Sequence, residues 1–312
     1  MNMTEKELMQ GAEEDVTGAS TAEGTITLAE EMIKLRLSDA ELTSEEIIDS
    51  SSSENIPQPS THDHLNQPPA PSSTIPFKFV PLRMGGNGRT HLPTEESAAL
   101  VEEMGGLFKL QQMTEAFYEK AFKDETLDKF LRSRDDPHGR RFATWIHQKL
   151  SGGSKWDEDR AGRSNVPVRV AGGNQIRVND RTSAHVAAWN SPKRARHEVG
   201  RHFELGECRV WMRLHFWAMR EVGLEELSPS FVDYYVRFLG HFVRVYESSA
   251  PAFARESFRW SADPDNIQKY INNGHYMTDV LGGVALGQAL SSLPDSEVQD
   301  QVWPYHEYAE SY

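Results

Sequence analysis

Aromatic side chains are missing from the first quarter of this 312-residue chain. All 30 of its Phe, Trp and Tyr residues lie beyond residue 75, the first being Phe77. Basic residues are nearly missing there too. Residues 1–75 hold 15 Asp and Glu against Lys6, Lys34 and Arg36, a net charge of 3 − 15 = −12. The rest of the chain holds 30 Lys and Arg against 32 Asp and Glu, a net of −2. A charged segment without large apolar side chains buries too little surface to offset the entropy of ordering it. The serine run Ser50–Ser53 and the prolines Pro57, Pro59, Pro68, Pro69 and Pro71 act in the same direction. Residues 1–75 therefore read as a disordered acidic tail, a place for a protein partner to bind. Within it Thr25–Leu37, with Ile26, Ile33 and Leu37 at roughly helical spacing, reads as a transient helix or a short docking helix.

Cysteine is almost absent. The single Cys208 excludes an intramolecular disulfide and suits a reducing compartment. No apolar run reaches the ~18 residues a membrane span needs, and the opening MNMTEKELMQ lacks the basic-then-apolar order of a signal peptide. The expected location is cytoplasmic. A body of near-zero net charge has no basic footprint for nucleic acid. Phosphate-cradling loops are lacking as well: Gly85-Gly86-Asn87-Gly88 and Gly282-Gly283 have no following Lys-Ser/Thr. No paired-carboxylate motif stands out, and His62-Asp63-His64 falls in the tail.

What is present is helical periodicity. Pro93-Thr94 opens a segment that ends at Gly105-Gly106. The next helix is expected over about 107–122, with Leu110, Met113, Phe117 and Ala121 in one stripe. Asp136-Pro137 starts another, which Gly152-Gly153 stops. Val166, Val168 and Val170, then Ile176 and Val178, alternate around a glycine turn, the pattern of a β-hairpin. Helical pattern resumes near Ser183. A long helix is expected over about 206–222, and Ser228-Pro229 opens a further one with Phe231, Tyr235, Phe238 and Phe242 on one face.

The order Gly105-Gly106, Phe117-Tyr118, Gly152-Gly153, followed by Arg196-His197, Phe203, Leu205 and Trp211, resembles a truncated (two-over-two) haemoglobin of group II. The resemblance spans about residues 100–248. It implies an all-α, globin-like fold interrupted by the hairpin, with a tail over 1–75, a globin-like domain over 76–250 and a C-terminal extension over 251–312. It also implies a haem that binds dioxygen or another diatomic ligand, with nitric oxide or peroxide turnover as the enzymatic extension. A haem iron asks the protein for one neutral imidazole. His197 is the expected ligand, with His202 and His185 as alternates. Tyr118 matches the distal tyrosine whose hydroxyl stabilises bound dioxygen. Phe130, Arg141, Thr144, Phe203 and Trp211 complete the implied haem surroundings. The competing expectation is a haem-free globin-like interaction module.

Overall fold

The computed structural model describes residues 77–86, 90–162, 166–170, 173–178, 181–280 and 286–293. The acidic tail, and the disorder expected of it, lie outside the described residues. Within them the chain is mostly helical, with two short strands. No described helix is long and apolar enough to cross a membrane.

Helix α1 is Glu95–Glu103 and α2 is Gly106–Ala121. Thr94 and Ser97 cap α1 reciprocally, each side chain accepting from the other's backbone N–H at 3.1 and 2.9 Å. Two glycines join the helices, Gly105 at φ 108° and Gly106 at φ 63°, a region that only glycine enters without strain. The buried stripe of α2 includes Leu110, Met113, Phe117 and Ala121. A 3₁₀ turn, Asp128–Phe130, leads to α3, His138–Ser151. Helix α4, Lys155–Ala161, precedes β1, Val166–Arg169, and β2, Gln175–Val178. The strands pair antiparallel with Val168 opposite Ile176. Then come α5, Arg181–Trp189, and α6, Leu205–Glu221. Helix α7, Leu224–Leu227, precedes α8, Pro229–Val243, whose Ser228 cap accepts from the Phe231 amide at 3.2 Å. Last are α9, Ala250–Ala262, α10, Pro264–Asn272, and α11, Leu286–Leu290.

Two apolar clusters hold these elements. The larger joins α1, α2 and α3 to α6, α8 and α9 through Leu110, Ile146, Met212, Phe231, Tyr235 and Phe253. The smaller sets Phe117, Val210 and Leu214 against Tyr270 and Met277. Ala250, Ala252 and Phe253 share the core of the preceding helices. Helix α9 was not expected. Pro251 reads as a stop after α8, yet proline fits the first turn of a helix equally well, where its missing N–H has no partner to lose.

The chain beyond α9 is fastened by a buried carboxylate. Asp124, fully buried, accepts from the amides of Thr126 and Leu127 at 2.9 and 2.8 Å and from the Tyr270 hydroxyl at 2.9 Å. Burial lifts its carboxyl to about 6, against those three hydrogen bonds. A carboxyl with a higher value folded than unfolded takes up a proton on folding. Its contribution therefore grows as pH falls from about 6 towards the unfolded value near 4, and is lost as pH rises through that window. Relative to Asp124→Asn, the wild type should gain melting temperature between pH 7 and pH 4.5. A wild-type-minus-variant difference that is flat or reversed over that range contradicts this assignment.

Candidate functional site

Buried and half-buried aromatic rings gather where α3, α5, α6 and the end of α8 approach one another. Phe130 meets Phe203 edge-on at 5.1 Å between ring centres. Phe203 meets His185 at 5.4 Å, and His185 meets Tyr246 at 4.8 Å. Tyr246 leads to Phe242 at 6.2 Å and Phe242 to Trp145 at 4.8 Å. Trp145 stacks on Phe142 at 5.9 Å, which reaches Trp211 at 6.0 Å. These rings form a continuous arc drawn from four helices, a 3₁₀ turn and two loops. Helical spacing explains much of it: Phe238, Phe242 and Tyr246 succeed each other at four-residue intervals, and Arg181 and His185 are four apart on α5.

His185 occupies a central place in the arc. Its Nδ1 lies 2.6 Å from the Tyr246 hydroxyl, a hydrogen bond. The Arg181 guanidinium covers Phe242 and Trp145 at 5.4 and 5.9 Å. Helix α5 is short and is held from its C-terminal end by arginines. Arg132 donates to the carbonyls of Ala187 and Asn190, both at 3.0 Å. Arg194 donates to those of Trp189 at 3.0 Å and Arg201 at 2.6 Å. Cations at a helix C-terminus satisfy the carbonyls that lack an intrahelical partner.

The other two histidines lie elsewhere. His197, the ligand expected from sequence, is exposed on the turn that runs through residues 196–200. No ring contact places it in the arc. The reason is the direction of that turn: Arg194 is the basic residue that turns inward, its guanidinium 4.8 Å above Phe130, which leaves Arg196 and His197 facing out. His202 is also exposed, stacked on Trp189 at 4.1 Å, and partial burial lowers its pKa.

Of the remaining expected residues, Phe130, Phe203 and Trp211 join the arc. Tyr118 stands beside it, 6.5 Å from Phe142 and stacked on His138 at 5.2 Å, with its hydroxyl pKa raised by burial. It also faces a surface cavity of about 360 Å³ shared with Phe122, Arg134 and Asp136. Arg141 pairs with Asp136 at 2.5 Å and takes no part in the arc. Thr144 is buried and donates to the Arg140 carbonyl within its own helix.

Behind Trp211, His215 is fully buried and stacked on that indole at 4.9 Å. Its Nε2 lies 2.9 Å from the Tyr235 hydroxyl, and burial pushes its pKa down to about 3, so it stays neutral.

No protein family, curated protein or solved structure matches this chain. Among the described residues no group of three or more His, Cys, Asp or Glu could hold a bare metal ion. A macrocycle places a different demand on the protein, because it brings its own equatorial donors. It needs a flat apolar wall, one oriented imidazole and a cation at the rim for its carboxylates. His185 and Arg181 are residues of the types such a group uses, while the rings of the arc meet mostly edge-on and in contact with one another.

Replacing Arg132 tests whether α5 depends on its cap. In Arg132→Gln, amides of residues 185–190 should exchange with solvent about 10-fold faster, the loss of roughly 1.4 kcal/mol of charge-assisted hydrogen bonding. Amides of α2 and α6 should be unchanged. Uniform exchange across all helices would contradict a local role for Arg132.

Proposed function

We propose that this protein binds haem and uses it to hold dioxygen or another diatomic ligand, as the resemblance to truncated haemoglobins implies. The observation that carries the reading is the setting of His185: an imidazole inside an arc of aromatic rings, with Nδ1 already in a hydrogen bond. When bound, the haem supplies an iron centre for reversible coordination of the diatomic molecule. His185 offers its imidazole to that iron in place of His197. Phe130, Phe203, Trp145, Phe142 and Phe242 exclude water and provide the apolar wall. Arg181 pairs with peripheral carboxylates. Tyr118, beside Phe142, is the distal hydroxyl that the resemblance implies for a polar bound ligand.

A haem-free interaction module is the second reading, and a specific contact favours it. Trp145 of α3 already packs on Phe242 of α8, so the arc is a closed set of ring contacts without any guest. Titration with haemin separates the two. A sharp Soret band saturating at one haem per chain is expected. His185→Ala should abolish the five-coordinate ferrous spectrum, while His197→Ala and His202→Ala should leave it intact. Tyr118→Phe should keep haem but release dioxygen about 10- to 100-fold faster, the loss of one good donor at roughly 1–3 kcal/mol. A broad absorbance that never saturates would favour the haem-free module.

A further inference from the structure

We infer that the cavity at the start of α3 binds a small aromatic monocarboxylate, its ring on Tyr118, Phe122 and His138 and its carboxylate on Arg134 and the Tyr118 hydroxyl. The inference goes beyond the haem reading and does not depend on it, because this cavity is already open and needs no haem to form it.

The floor of the cavity is aromatic. Phe122 follows Tyr118 by one turn at the end of α2, and His138 opens α3 beside them. Tyr118 and His138 stack at 5.2 Å with 24° between their planes. Phe122 stands 6.4 Å from Tyr118 and 5.7 Å from His138. The His138 ring is fixed through Nε2, which donates to the Ser133 carbonyl at 3.1 Å. Burial holds its pKa below the usual value, so near pH 7 the ring is neutral. All three side chains line the cavity. Its volume of about 360 Å³ is near the lower end of the ~300–1,000 Å³ usual for small-molecule sites, room for one ring rather than a fused system.

The polar groups around this floor are not satisfied within the protein. Arg134 lies over the Phe122 ring at 5.3 Å and donates through Nη2 to the Phe122 carbonyl at 2.8 Å. A guanidinium has further N–H donors, and among the described residues nothing accepts from them. The Tyr118 hydroxyl also has no hydrogen-bond partner among the described residues. Burial raises its pKa, so it stays a donor. Lys123 adds an ammonium at the same cavity that pairs with no carboxylate among the described residues. The cavity's own carboxylates oppose this less than their number suggests. Asp136 is paired with Arg141, and Glu119 is exposed to solvent. With Arg141 included, Lys123, Arg134 and Arg141 stand against Glu119 and Asp136, a surplus of one positive charge. One carboxylate balances it, and a guanidinium takes a carboxylate through two parallel N–H bonds. A flat π system stacks on the neighbouring rings in a way that a saturated ring does not.

Benzoate titrated into the full chain without haem tests this through the amide shifts. Binding should saturate at one benzoate per chain and move the amides of residues 117–123 and 134–140, leaving those of α8 and α9 in place. Benzamide has the ring without the charge and should bind about 10- to 100-fold more weakly. Cyclohexanecarboxylate has the charge without the π face and should bind about 3- to 10-fold more weakly. Arg134→Gln should weaken benzoate about 10- to 100-fold, and Tyr118→Phe about 3- to 10-fold. Arg134 is exposed, so its replacement leaves the core intact. Should a variant fold poorly, the three probes on the wild type decide. No saturable benzoate shift, or shifts that map away from this cavity, overturns the inference. So does benzamide or cyclohexanecarboxylate binding as tightly as benzoate, or a folded Arg134→Gln or Tyr118→Phe that binds benzoate like the wild type. Haemin titration of the same preparation reads the Soret band separately, so a failure of the haem reading and a failure of this inference are told apart.

Discussion

The crossing of α2 over α3 sets where everything else in the site can stand. It depends on Gly139. A Cβ there would lie 2.9 Å from the Glu115 side chain and 3.0 Å from its backbone, closer than side-chain atoms pack against a helix. With hydrogen alone at that position, the Thr114 hydroxyl donates directly to the Gly139 carbonyl at 2.7 Å. The two helices are held at backbone contact. One turn further along α2, Phe117 and Tyr118 then meet different neighbours. Phe117 turns into the core against Trp211 and His215, and Tyr118 turns towards His138 and Phe142. The α3 wall of the arc follows from that close approach.

The opposite wall is held by a different kind of force. Helix α5 buries Ala187 and Trp189 but only part of His185, so apolar area alone fixes it poorly. Directional bonds supply the rest. Arg132 and Arg194 hold the last carbonyls of α5, and Lys193 pairs with Asp128 at 2.9 Å. An exposed pair such as Lys193–Asp128 adds little by itself, whereas the guanidinium–carbonyl bonds specify orientation. One wall is packed on apolar surface and the other is hung on arginines.

Much of this was legible along the chain, and the reasons differ by element. Helices α2, α3, α6 and α8 carry apolar stripes bounded by Gly-Gly, Pro137, Gly223 and Ser228-Pro229, which are local signals. Helix α9 hid behind Pro251, whose meaning depends on which side of it the helix lies. The site was harder. His185, His197 and His202 lie within one short stretch, and spacing does not say which way the intervening loop turns. That depends on Arg194 reaching Phe130 and on Gly200, whose amide donates to the Trp189 carbonyl at 2.9 Å. The Arg196-His197 pair drew attention because it matched a pattern, while the fold turned a different arginine inward. Tyr246 continues the four-residue stripe of Phe238 and Phe242, but its partner is 61 residues away and only the folded chain brings them together.

The most direct measurement of the account is a crystal structure of the full chain purified with one equivalent of haemin. The expected result is a haem bound beside Phe130, Phe203 and Phe142, with His185 as the ligand to iron. Iron bound instead to His197 or His202, or an arc of rings closed on itself with no haem density, would contradict it.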